Sequence, residues 1–95
     1  MRLVYSADAV TDLIRLRDFI AEHDPSVAAR VAGDLIEHIE NLRLFPKIGR
    51  PIEAAPDPEI IREMVFGKCV VRYAAHQEVV AVLRIWHHFE KRDPY

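Results

Sequence analysis

The chain is poor in the residues that mark several protein classes. It has one cysteine, Cys69, which excludes an internal disulfide and points to a cytosolic setting. It has three widely spaced glycines and so no glycine-rich phosphate loop. No apolar run approaches the ~20 residues that a membrane span needs, and no membrane association is expected. Met1-Arg2-Leu3-Val4-Tyr5 leads directly into strand-like sequence, so no signal peptide is expected. Positive charge is scarce as well. The net charge is −2 and the pI about 6.2, which is not the composition of a strongly basic nucleic-acid binder. No Ser or Cys nucleophile has an obvious base, and Cys69 in an apolar strand reads as a small core residue.

What is present fits one globular domain over residues 1–95. Hydrophobic residues make up 51% of the chain and charged residues 29%, which excludes disorder as the default. A domain of this size buries roughly 60–65% of its unfolded surface, enough for one two-layer core. Charge is uneven along the chain. Residues 1–59 hold 7 Lys/Arg against 11 Asp/Glu, whereas residues 60–95 hold 6 against 4 together with His76, His87 and His88. An anionic target would therefore meet the C-terminal third.

Residues 2–5 read as a short strand. Ser6 is a good N-cap, and Val10, Leu13, Ile14, Arg17 and Ile20 recur at helical spacing, widened by Leu16 and Phe19. The first helix is predicted over about 7–23. Asp24-Pro25 ends it and opens a second over about 25–45, with Asp24 as cap and a stripe of Ala28, Val31, Ala32, Leu35, Ile36, Ile39 and Leu42. So short a connection requires an antiparallel helix hairpin. Prolines 46, 51, 56 and 58 with Gly49 make 46–59 an irregular loop. Three strands are predicted after it, at 60–66, 68–75 and 78–86, with a turn near His76-Gln77. The fold class is α+β, ordered β-α-α-β-β-β, with the helix hairpin on one face of a four-stranded antiparallel sheet.

Strict alternation along the last strand places Val79, Ala81, Leu83 and Ile85 on one face and Val80, Val82, Arg84 and Trp86 on the other. Both faces are largely apolar, which a half-solvated antiparallel sheet avoids. Either a partner chain covers the face with Val80, Val82 and Trp86, the economical answer, or a strongly curled sheet buries both faces itself.

The residues suited to chemistry are few. His87 and His88 follow a strand end, where sites are often built, and histidine titrates near neutral pH. Adjacent histidines on a strand point apart, and no cysteine or carboxylate cluster has ligand spacing, so no metal or cofactor is expected. Arg62, Arg72 and Arg84 each lie within a strand. They form a cationic patch if their faces coincide, or they pair with Glu63, Glu78 or the helix acids. The register of the hairpins decides between these, because a slip of one residue swaps the faces.

Several segments together resemble the RelE/ParE superfamily of bacterial toxins: Ser6-Ala7-Asp8-Ala9, Asp24-Pro25, Phe45-Pro46-Lys47-Ile48-Gly49-Arg50-Pro51, Ile61-Arg62-Glu63-Met64-Val65, Val70-Val71-Arg72-Tyr73 and Leu83-Arg84-Ile85-Trp86-His87. The resemblance spans nearly the whole chain. It implies the toxin half of a type II toxin–antitoxin module, of a kind tied to plasmid stabilisation and growth inhibition. It also implies a hetero-oligomer with an antitoxin, usually acidic and partly disordered, that wraps the toxin. No sequence-specific DNA binding by the toxin itself is implied.

The resemblance leaves two targets. RelE-like members are similar to ribosome-dependent mRNA endonucleases, whereas ParE-like members poison DNA gyrase. A RelE-type site has basic residues near the end of the second strand, yet here the chain reads Val65-Phe66-Gly67, and Val70 stands where related nucleases carry an arginine. The remaining nuclease candidates are Arg62, Arg84, His87 and His88 with Lys91 or Arg92. The acidic balance also suits RNA binding poorly. A ParE-like toxin is favoured, with His87, His88, Lys91 and Arg92 on its target surface. An inactive relic that binds only an antitoxin is the third reading.

Overall fold

The computed structural model describes residues 1–57 and 59–90. Strand β1 covers Arg2–Tyr5, helix α1 Ala7–His23 and helix α2 Pro25–Glu40. Strand β2 is Arg50–Pro51, and β3, β4 and β5 span Ile61–Phe66, Cys69–His76 and Val79–His87. The helix hairpin packs on one face of the sheet, as expected.

The helix ends follow local chemistry. The Ser6 hydroxyl accepts from the Ala9 amide at 3.0 Å and donates to the Leu83 carbonyl at 2.9 Å, so one side chain caps α1 and ties it to β5. Asp24 does not cap α2 with its side chain, which accepts from the Ser26 hydroxyl at 2.7 Å instead. The second helix stops short of the predicted residue 45. Its last turn tightens into a 3-10 turn at Asn41–Arg43.

The sheet has five strands in the order β1-β5-β4-β3-β2, one more than expected. The extra strand is Arg50–Pro51, within the segment read as wholly irregular. It pairs with Glu63 and Arg62 at the sheet edge, a position where a proline's missing N–H need cost no ladder bond. The sheet is mixed rather than antiparallel, because β1 runs parallel to β5 in the register Arg2↔Val79 to Tyr5↔Val82. The helix hairpin supplies part of the long connection that a parallel pair requires. Two tight turns join β3, β4 and β5. Gly67 adopts φ +57° in the first, and Gln77 and Glu78 adopt φ 49° and 70° in the second, the left-handed pair of a type I′ hairpin.

A β-bulge changes the faces of β5. Arg72 pairs with Arg84 but Tyr73 pairs with Val82, which leaves Leu83 as an extra residue. Alternation therefore restarts at the bulge. Val80, Val82 and Ile85 all face the helices and are fully buried, and Trp86 lies on the opposite face. The core joins them to Val71 and Tyr73 of β4, Leu16 of α1, and Leu35, Ile39 and Leu42 from the α2 side.

Helix α1 is rotated from the face its apolar spacing predicts. Its buried line is Ala9, Asp12 and Leu16, whereas Val10 and Ile14 are 47% and 52% exposed. A carboxylate replaces an aliphatic side chain at the centre of the contact, and the reason lies at the edge of β5.

Candidate functional site

Strand β1 pairs with β5 only from Val79 to Val82. Beyond that point the outer edge of β5 has no strand beside it among the described residues. Side chains take the place of a strand. The Ile85 amide donates to Asp12 Oδ2 at 2.9 Å, and the Ile85 carbonyl accepts from Arg15 at 3.2 Å. The His87 amide donates to Glu90 Oε1 at 2.8 Å.

These side chains form one network. Arg84 Nε donates to Asp12 Oδ2 at 2.8 Å, and Arg15 donates to Asp12 Oδ1 at 2.6 Å and to Glu90 Oε2 at 2.8 Å. Burial alone would raise the Asp12 carboxyl. The hydrogen bonds from Arg84, the Ile85 amide and Arg15 outweigh it and bring the pKa down to about 2. Glu90 shows the same balance. Burial pushes its carboxyl up, and Arg15 with the His87 amide holds it below the usual carboxylate range.

The chain leaves β5 through a turn at His87–Glu90, closed by the Glu90 amide donating to the His87 carbonyl at 2.9 Å. The His88 amide donates to the Lys68 carbonyl at 2.6 Å, which fixes the turn to the β3–β4 hairpin. The turn also carries a ladder of rings. His23 and His87 flank Phe19 at 5.0 and 5.1 Å, and His87 and His88 flank Phe89 at 5.5 Å each. Lys68 Nζ stands 5.3 Å from the Phe89 ring centre. Two adjoining cavities of about 500 and 410 Å³ open here, both lined by Ile20, Lys68 and His87. His87 Nδ1 accepts from the Phe89 amide at 3.2 Å, so the neutral ring carries its proton on Nε2. Burial lowers the His87 pKa, and Lys68 and His88 add to that against the opposing pull of Glu90.

The sequence-derived nuclease residues do not converge. Arg62 faces the helix side and is 8% exposed, donating to the carbonyls of Gly49 at 2.9 Å and Lys47 at 3.5 Å. It sits four residues from Phe66 along β3, and Phe66 is level with Cys69 and His87. That spacing separates Arg62 from His87 by about 13 Å along the strands. Arg84 is held by Asp12. Arg72 lies on the other face, paired to Glu63 at 2.6 Å and over the Trp86 ring at 5.1 Å. The arginines therefore form no common patch. Their partners are a helix acid, a strand acid and loop carbonyls.

The partner-facing set is corrected in the same way. Val80 and Val82 have no exposed surface and lie under the helices, because the bulge splits them from Trp86. Only Trp86 of the three stays on the open sheet face, near Val65, which is 65% exposed, and Val70. Among the target-surface candidates His88 is exposed and His87 half-buried; Lys91 and Arg92 lie outside the described residues. Reasoning from sequence missed Asp12, Arg15 and Glu90. The available signal was an acid between Ala9 and Leu16 at helical spacing. Cys69 is buried, and burial pushes its thiol pKa up, as suits an inert core residue.

The site thus sits on a helix hairpin packed against a sheet whose first strand joins β5 in parallel. The family described as "ParE toxin of type II toxin-antitoxin system, parDE" matches residues 3–92, and the chain belongs to that family. Toxin RelE1 of Caulobacter vibrioides is 34% identical over 92 residues, spanning 95% of this chain and 96% of its own. Toxin RelE2 of the same organism is 31% identical over 87 residues, spanning 90% and 93%. A chain of the solved "Chromosomal ParDE TA system from P. aeruginosa" shares the fold with a TM-score of 0.78 at 22% identity, over 92% of this chain and 95% of that one.

Proposed function

We propose that this toxin acts by binding DNA gyrase rather than by cutting RNA, and that a cognate antitoxin holds it inactive. The observation that carries this reading is the commitment of its arginines. Cleavage through a ribose 2′-hydroxyl needs a base, an acid and a cation on the phosphate. Arg62 is spent on Gly49 and Lys47 carbonyls and Arg84 on Asp12. Burial lowers the His87 pKa, and its Nδ1 already accepts a hydrogen bond from the Phe89 amide. Target contact then falls to the exposed turn with His87 and His88 and to Lys91 and Arg92 after it. An antitoxin segment then falls to the sheet face that carries Val65 and Trp86, whose ring lies under Arg72.

Pulse labelling of DNA and protein synthesis after controlled induction in bacteria tests this. DNA synthesis falling first, with a damage response, is the expected result. Protein synthesis falling first, with mRNA cut on ribosomes, would replace it with the RelE-like endonuclease reading centred on His87. Growth unaffected by a folded chain would mark an inactive relic.

A further inference from the structure

We infer that the Arg15–Glu90 ion pair is a latch that positions the His87–Phe89 turn for target contact. This inference rests on the placement of the target surface at His87 and His88.

Glu90 performs three tasks with one residue. Its amide closes the turn on the His87 carbonyl at 2.9 Å, Oε1 accepts from the His87 amide at 2.8 Å, and Oε2 accepts from Arg15 Nε at 2.8 Å. Its side chain is only 11% exposed, so water competes weakly with these bonds. Arg15 is itself held by Asp12 at 2.6 Å and by the Ile85 carbonyl at 3.2 Å. The guanidinium is thus fixed to α1 and β5 before it meets Glu90, and the turn inherits that rigidity.

The other side of the turn faces outward. His88 is exposed and Phe89 is 69% exposed. The core beneath does not depend on Glu90. Asp12 still ties α1 to β5 through Ile85 and Arg84 when Glu90 is removed. Opening the latch therefore loosens a segment that carries exposed rings, which keeps its anchor from the His88 amide to the Lys68 carbonyl, and leaves the fold in place. A loosened turn must be ordered on binding, and that cost weakens the complex.

Glu90→Gln is the decisive variant, because it removes the charge and keeps both of Asp12's arginines. Arg15→Gln and Arg15→Lys accompany it, with Asp18→Asn in the exposed Arg17–Asp18 pair as the neutral control. Backbone amide exchange on the purified chain is compared with the inducer dose that halves growth. We expect Glu90→Gln to keep slow exchange at Val71 and Val82 while speeding exchange at His87 and His88 by about tenfold. The toxic dose should rise by about tenfold, with Arg15→Lys retaining more toxicity than Arg15→Gln. Unchanged exchange at His87 and His88 would overturn the latch, as would faster exchange with unchanged toxicity. His88→Ala run in parallel separates the two layers. If folded His88→Ala stays fully toxic, the target surface is elsewhere and the latch has no such role. If His88→Ala loses toxicity while Glu90→Gln keeps it, only the latch falls.

Discussion

Two polar joints brace this fold, and they are built differently. At the β5 edge, Asp12, Arg15, Arg84 and Glu90 replace a missing strand with ionised side chains. Under the loop before β2, Tyr73 donates to the Pro46 carbonyl and accepts from the Gly49 amide, each at 2.8 Å, while Arg62 holds the Gly49 carbonyl. The first joint gathers residues from α1, β5 and the turn after it. The second is a short motif clasped by two strand side chains. Charge makes the first sensitive to protonation. Shape makes the second sensitive to a single methyl group.

The largest effect is expected at the charged joint. Asp12→Ala leaves the Ile85 amide without a partner and two guanidiniums without their shared carboxylate. A loss of about 2–4 kcal/mol in chemical denaturation is expected, since both arginines are partly solvated and recover some hydration. A loss under about 0.5 kcal/mol would show that water replaces the carboxylate at the edge.

Gly49→Ala tests the second joint. An added Cβ would lie 2.7 Å from both the Tyr73 hydroxyl and the Glu63 carbonyl, and the backbone carbonyl has little room to move. A cost of about 1–3 kcal/mol is expected. Tyr73→Phe, which strands a buried amide without adding bulk, should cost about 1–2 kcal/mol. If Gly49→Ala were neutral, the loop would be free to lift and the clasp would not be tight.

Acid separates the joints most sharply. The folded Asp12 pKa of about 2 lies below its ordinary value of 3.8. Its contribution is therefore present above the unfolded pKa and lost as pH falls from about 4 toward 2. The shift corresponds to about 2 kcal/mol, and the lowered Glu90 carboxyl adds in the same direction. Denaturation across this window should show that loss in the parent chain and in Tyr73→Phe. In Asp12→Asn it should shrink to the remainder from Glu90 and other carboxylates. An equal loss in Asp12→Asn would assign acid sensitivity elsewhere.

The contrast also separates what could be read ahead from what could not. The motif Phe45 to Pro51 stood out, and Gly49 with Tyr73 explains its form, because a loop pressed against a phenol admits no side chain. Asp12 did not stand out. As a helix-start acid it looks ordinary, and only the end of β1 at Tyr5 creates the bare edge that it serves. The site candidates divide as well. His87 and His88 stand at the end of β5, where the sequence placed them, whereas Arg62, a nuclease candidate, and Val80, a partner-facing one, are turned inward by the hairpin register and the bulge at Leu83.

By itself the sequence determined the order of elements, the helix hairpin at Asp24-Pro25, the turns at Gly67 and before Val79, and the family. The elements follow from caps, prolines and periodicity, which act over a few residues, and the family from the resemblance of motifs spread along the chain. The parallel pairing of β1 with β5, the edge strand at Arg50–Pro51, the bulge and the Asp12–Arg15–Glu90 network were decided by tertiary structure. Each joins residues distant along the chain or changes which face a strand presents, and backbone satisfaction at a sheet edge exists only once the sheet has formed.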